Sequence, residues 1–182
     1  MFVQTEITPN PNSLKFMPGK TVSNSGSFEI TKKEEIDNEL VRNLLSINGV
    51  TGIFLGADFI SINKKEEINW ENIKHIVISL INDFYSSGKE FVIDKSINNK
   101  EEINLIEIEK QIIKILDTKI KPAVAKDGGD IKFKKFKNGV VTVQLQGSCS
   151  GCPSSTMTLK QGVQNLLCHY IPDVKEVIAI QE

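Results

Sequence analysis

Cys149 and Cys152 form a C-x-x-C pair in the run Gly147-Ser148-Cys149-Ser150-Gly151-Cys152-Pro153-Ser154-Ser155. Two thiols at that spacing support two kinds of chemistry. As thiolates they bind a soft metal, and as a couple they cycle between dithiol and disulfide. The flanking residues predict a strand over Val140 to Leu145 and a helix from about Pro153 to Tyr170. Pro153 has the fixed φ of a first helical position, and the two serines after it suit a first turn. Both cysteines are therefore expected on a small-residue loop at a helix N-terminus. There the free backbone N–H groups and the positive dipole end favour thiolate over thiol.

Structural zinc sites and iron–sulfur clusters normally take four protein ligands, and the pair supplies half of them. Cys168 and His169 do not complete the set. On an unbroken helix Cys168 lies about 22 Å from the loop, at 1.5 Å per residue, and metal–sulfur bonds of about 2.3 Å cannot bridge that. Cys168 is expected to pack as a small hydrophobe, and His169 to sit at the helix end. A two-fold axis through the loop gathers four thiolates from two copies around one centre. That suits a [4Fe–4S] cluster shared between subunits and open to release. Gly147, Ser148, Ser150 and Gly151 leave room for two loops to approach. The competing reading is a monomeric dithiol–disulfide protein using Cys149 and Cys152. Against it, such motifs are expected near a βαβ unit, whereas a hairpin leads into this one, and no proline is obvious as the cis-proline usual beside such sites. Spacing alone puts metal ahead of redox and leaves both open.

The elements that must position the pair form an α+β chain of two small mixed domains, each with short antiparallel strands packed on helices. In residues 1–86, strands are predicted at Phe2 to Ile7 and Ser13 to Met17, separated by the turn Thr8-Pro9-Asn10-Pro11-Asn12. The stretch from there to about Ile30 is polar and shows no element. A helix over Asp37 to Ile47 is expected to be capped by Gly49. A hairpin follows, Val50 to Leu55 with Phe59 to Asn63. Asn69 then opens a helix buried through Trp70, Ile73, Val77, Leu80, Ile81 and Phe84 and ended by Gly88. Residues 87–103 read as a linker, with a short apolar patch at Phe91-Val92-Ile93. The second domain, 104–182, opens on a capping box of Asn104 and Glu107. Its first helix buries Leu105, Ile108, Ile112, Ile115, Leu116 and Ile120 and is expected to stop before Pro122. Asp127-Gly128-Gly129-Asp130 turns into the strand Ile131 to Phe136. Asn138-Gly139 makes a hairpin with Val140 to Leu145, and Val174 to Ile180 is a last strand. Asp127 and Asp130 read as turn residues rather than paired catalytic carboxylates. Lys160 reads as an exposed helix lysine, with tuning of the cluster's field or contact with a partner as its functional alternative.

The 182 residues are 40% hydrophobic and 25% charged, an ordinary globular balance. A net charge of −1 gives no reason to expect nucleic acid or an anionic membrane as partner. No apolar run approaches the roughly 20 residues of a membrane span, and the N-terminus reads as mature protein. With 3 cysteines there is no secreted disulfide framework, so a reducing compartment is expected. The sequence has no internal repeat, G-x-G-x-x-G, P-loop, G-x-S-x-G or H-E-x-x-H.

The C-x-x-C run with Thr158-Leu159-Lys160 and Gly162, Lys121-Pro122-Ala123-Val124, Asp127-Gly128-Gly129-Asp130-Ile131 and His169-Tyr170-Ile171-Pro172 resembles the C-terminal domain of NifU. The first half resembles the Nfu N-terminal domain through Thr8-Pro9-Asn10-Pro11-Asn12-Ser13-Leu14-Lys15-Phe16, Pro18-Gly19, Val50-Thr51-Gly52-Ile53-Phe54 and Phe59-Ile60. Lys121 and Ala57 depart from the Arg and Pro of many relatives, and Cys168 is not part of the pattern. The resemblance implies a scaffold or carrier of iron–sulfur clusters rather than an enzyme. It would hold a labile [4Fe–4S] cluster between two subunits on Cys149 and Cys152 of each, take it from upstream assembly machinery, and pass it to apo iron–sulfur proteins. The N-terminal domain would be a recognition or regulatory module for partners. A bacterial cytoplasm is the expected location, and the mature form of a mitochondrial matrix protein would look the same.

Overall fold

The computed structural model describes residues 2–91, 106–150 and 152–180, leaving aside the Ser155 side chain. The chain divides into two compact units, Met1–Ile93 and Asp94–Glu182.

In the first unit, alternation of apolar residues dictates an antiparallel sheet. Its strands are β1 (Gln4–Ile7), β2 (Ser13–Met17), β3 (Phe28–Ile30), β4 (Val50–Leu55) and β5 (Ile60–Lys64), in the order β1-β2-β5-β4-β3. The register lines up Leu14, Ile62, Ile53 and Ile30 in one row, and Phe16, Ile60, Leu55 and Phe28 in the next. These rows share one core with Leu40, Val41 and Leu44 of α1 (Glu39–Leu45) and Val77, Ile81 and Phe84 of α2 (Trp70–Ser86). The proline turn is tied to α2 by the Trp70 indole N–H, which donates to the Pro11 carbonyl at 3.0 Å. β3 lies inside the stretch that shows no element in sequence, because its three residues gain strand geometry only by pairing with β4. Ser46, not Gly49, closes α1. Its backbone N–H and hydroxyl both donate to carbonyls of the last turn, and Gly49, at φ +92°, makes the following turn into β4.

The second unit opens on α3 (Glu107–Ile115), and Ile106 occupies its N-cap position. The Glu109 carboxylate accepts the Ile106 N–H at 3.1 Å, so the reciprocal bond falls two residues beyond the expected Asn104–Glu107 box. Asn104 and Leu105, like most of the 87–103 linker, lie outside the described residues. The helix does not stop before Pro122. It unwinds into a π-helical turn, Leu116–Ile120, and resumes as α4 (Lys121–Lys126) with Pro122 in the first turn. Proline is tolerated in a first turn, where its fixed φ is already helical. The turn also serves packing. Ile112, Leu116, Ile120 and Val124 are all buried, and an every-fourth repeat drifts about 40° per step on a 3.6-residue helix. The wider π turn takes part of that drift back.

β6 (Gly129–Lys137) and β7 (Val140–Gly147) form an antiparallel hairpin. Its turn residues Asn138 and Gly139 both have positive φ, at 54° and 81°, as a two-residue turn of this kind demands. α5 (Pro153–Tyr170) then crosses back, and β8 (Glu176–Ile180) pairs with β7 in parallel, giving the order β6-β7-β8. The antiparallel strands expected of each domain are present, and β8 adds one parallel pairing to them. A helix of 18 residues returns the chain to the end of the sheet at which β7 began, and only a parallel strand fits that return.

Gly162 sits within α5, and a Cβ there would meet nothing within 4 Å. Gly162→Ala is expected to stabilise the protein by about 0.5–1 kcal/mol through backbone entropy. The thermal midpoint of the second unit should rise by roughly 2–8 °C. A calorimetric scan showing a fall would mean that this helix face is occupied.

Candidate metal centre

β7 ends at Gly147, whose φ of +71° turns the chain out of the sheet. Ser148 then anchors the loop to the Asp127–Asp130 turn. Its N–H donates to the Gly128 carbonyl at 3.2 Å, and its hydroxyl donates to the Asp127 carbonyl. Ser150 closes the bend by donating its N–H at 3.2 Å and its hydroxyl at 2.8 Å to the Gly147 carbonyl. From the helix side, the Thr156 hydroxyl donates to the Cys149 carbonyl at 3.1 Å, and its N–H to the Cys152 carbonyl at 2.9 Å. Cys152 is the N-cap residue of α5, with extended φ and ψ, and its Sγ lies 3.3 Å from the Ser154 hydroxyl.

The two thiols are not equivalent. Cys152 is half-buried, whereas Cys149 is 6% exposed and belongs to the core of its unit. Cys149 Sγ fills the space that a side chain on Gly129 would need, 2.7 Å from an ideal Cβ there. Burial pushes the Cys149 thiol up to about 11. The Ser148 hydroxyl works against that shift, while the Asp127 and Asp130 carboxylates add to it. The expected thiolate bias is thus overturned at Cys149, because desolvation of the anion outweighs the helix end. With an ordinary value of 9.0 moving to about 11, roughly a hundredfold less thiolate is present at neutral pH. Iodoacetamide at pH 8 should therefore modify Cys152 well before Cys149, and the Cys149 rate should still climb above pH 10. Timed alkylation with peptide mass mapping reads both, and equal rates would refute the buried placement.

Cys168 lies on the same unbroken α5, sixteen residues beyond Cys152 and half-buried against the core. His169 stacks edge-on with Tyr170, ring centroids 5.1 Å apart. Neither comes to the loop. Among the described residues, no group of three or more His, Cys, Asp or Glu side chains is placed to hold a metal ion. Asp127 and Asp130 belong to the turn that seats the cysteine loop. Asp130 accepts the N–H of Ile131 at 2.8 Å. Gly129, Ser148 and Thr156, which fix the pair in place, carry no chemical signal of their own in sequence. Gly129 shows in sequence only as a second glycine where a turn needs one and as part of the run that carries the resemblance.

One ground against a redox couple falls. The motif stands at the start of the crossover helix of a β7–α5–β8 unit, not merely after a hairpin. Cys149, buried and with its thiol pushed up to about 11, is a poor attacking group at neutral pH, so such chemistry would have to start from the half-buried Cys152.

The chain matches two families, the NifU-like domain over residues 112–178 and the scaffold protein Nfu/NifU N terminal over residues 3–88. It is 42% identical to the human mitochondrial NFU1 iron-sulfur cluster scaffold homolog, over 100% of this chain and 73% of that protein. It is 39% identical to the mitochondrial NifU-like protein 4 of Arabidopsis thaliana, over 97% of this chain but 65% of that protein. A solved NifU-like protein from Saccharomyces cerevisiae is 30% identical with a TM-score of 0.45, covering 52% of this chain and 86% of that one. With both domains matched in chain order and a relative at 42% identity spanned over 73% of its length, the chain belongs to the Nfu family of NifU-like iron–sulfur cluster scaffold proteins.

Proposed function

We propose that the chain carries a [4Fe–4S] cluster as cargo, held by Cys149 and Cys152 of two copies and delivered to apo-proteins without catalytic turnover. The observation that carries this reading is a pair of cysteines at the head of α5 with no third ligand brought to it among the described residues. A second copy supplies the missing two thiolates. To ligate, Cys149 must lose its proton and turn its sulfur out from Gly129. Burial disfavours that loss, since it pushes the thiol up to about 11. The positive end of α5 opposes the negative charge of the thiolate-bound cluster. Delivery proceeds by ligand exchange: each iron–Cys bond breaks as an acceptor thiolate bonds to the same iron, and the cluster keeps its electrons.

Residues 1–86 serve as a module that recognises partners, 87–103 as the linker, and 104–182 as the cluster-binding domain. Upstream assembly machinery loads the cluster. The mitochondrial names of the relatives support the mitochondrial matrix as its location and lend none to the bacterial cytoplasm. No described helix is long and apolar enough to cross a membrane.

Native mass spectrometry after anaerobic reconstitution with iron and sulfide tests the core of the proposal. The expected species is a dimer heavier than two chains by one [4Fe–4S] cluster. A bare monomer that loses two hydrogens on oxidation would refute it and put disulfide chemistry first.

A further inference from the structure

A groove of about 760 Å³ runs beside the cysteine loop, between the first three turns of α5 and the start of β8. We propose that this groove is the docking site for the acceptor protein and takes an extended acidic segment bearing apolar side chains. The proposal rests on the carrier reading above and adds the surface and the chemistry of its partner.

Position comes first. Pro153, the residue after Cys152, begins the groove, and Gln164 ends its helical wall. Eleven residues of helix span about 16 Å, room for roughly five residues of extended chain. A segment lying there ends against a cluster ligand. The groove is also built. The Gln164 side-chain carbonyl accepts the Val177 N–H at 3.0 Å, holding α5 to β8 along its floor.

The lining defines the occupant. Met157 is 73% exposed, the most exposed large hydrophobic residue described in this unit. Its flexible thioether suits partners of differing shape. None of the 18 residues of α5 is acidic, so no carboxylate on this helix offsets the positive end at its first turn or the lysine on the wall beyond it. Lys160 on α5 and Lys175 opposite it take part in none of the ion pairs among the described residues. Lys175 is held in place. Its N–H donates to the Gly139 carbonyl at 2.7 Å, and its stem lies 3.0 Å from where a Cβ on Gly139 would be. Among the described residues, Glu176 is the one carboxylate in the lining. A second copy is a poor occupant, since a two-fold contact of the groove with itself would bring the same lysines together.

The test uses the full chain without cluster, so that docking is read separately from cargo. The probe is a capped pentapeptide alternating glutamate and leucine, and the control peptide carries lysine in place of glutamate. Amide chemical shifts of the isotopically labelled chain should move at Met157 to Gln164 and at Lys175 and Glu176 with the acidic peptide only. Lys160→Glu with Lys175→Glu should weaken binding by roughly tenfold. Equal response to both peptides, shifts that map elsewhere, or undiminished binding by the double variant would overturn the proposal. So would a dimer of the cluster-free chain, seen by sedimentation, that the double variant abolishes, because a second copy would then own the groove. A chain that binds the peptide as expected but takes up no cluster supports the docking site and refutes the carrier reading alone.

Discussion

Cys152→Ala is expected to give a folded protein that takes up no iron–sulfur cluster, and Cys149→Ala to lose the cluster at a measurable cost in stability. In a site shared across a two-fold axis, one missing thiolate per chain removes half of the ligands, so loss should be complete rather than graded. The stability effects differ because the environments differ. Cys152 caps α5 with no side-chain hydrogen bond to the helix backbone, so its replacement should change stability by less than about 0.5 kcal/mol. Cys149 is a core residue whose sulfur fills the space above Gly129. Emptying that space costs about 1 kcal/mol, a fall of roughly 4–8 °C in the midpoint of a unit this size. Iron and sulfide content with visible absorbance reads the first effect, and thermal unfolding of the cluster-free proteins reads the second. A Cys152→Ala chain that unfolds would point to a structural metal, and one that keeps its full iron content would place the ligands elsewhere.

The contrast between the two cysteines marks the limit of what the sequence discloses. Their spacing, the strand before them and the helix after them are local properties, and each is legible in the chain as written. The same holds for the Asn138-Gly139 hairpin and for the stripe Ile73, Val77, Ile81 and Phe84 of α2, where residue type and period coincide. What escapes the sequence is set by distant partners. β3 has three residues and becomes a strand because β4 lies beside it. The direction of β8 follows from the length of α5, and the π turn before Pro122 follows from the core that Ile112 to Val124 must face. The protonation of Cys149 belongs with these. Its own neighbours in sequence indicate a helix end, while its surroundings in space push the thiol up, first by burial against the core and then by the Asp127 and Asp130 carboxylates.

Gly129 therefore becomes the residue beyond the cysteines whose replacement should hurt most. A Cβ there would stand 2.6 Å from the Gln146 carbonyl oxygen and 2.7 Å from Cys149 Sγ. The first obstacle is backbone inside the β6–β7 ladder, where Gly129 pairs with Gly147 and Asp130 with Gln146, so it cannot move without breaking register. Gly129→Ala should cost about 1–3 kcal/mol, a fall of roughly 4–24 °C in midpoint, and should cut cluster uptake by displacing the cysteine loop. Adding Cys149→Ala ought to return only part of the stability, since it relieves the contact with sulfur and leaves the one with the carbonyl. The adjacent glycine separates space from conformation. Gly128 has φ +81°, a region that asparagine tolerates, so Gly128→Asn should be mild where Gly129→Asn is severe. If Gly129→Ala unfolded at the wild-type temperature with its full cluster content, the packing of Cys149 against this turn would be disproved. If both asparagine variants were equally severe, Gly128 would be demanding glycine for its backbone angle as strictly as Gly129 demands it for space.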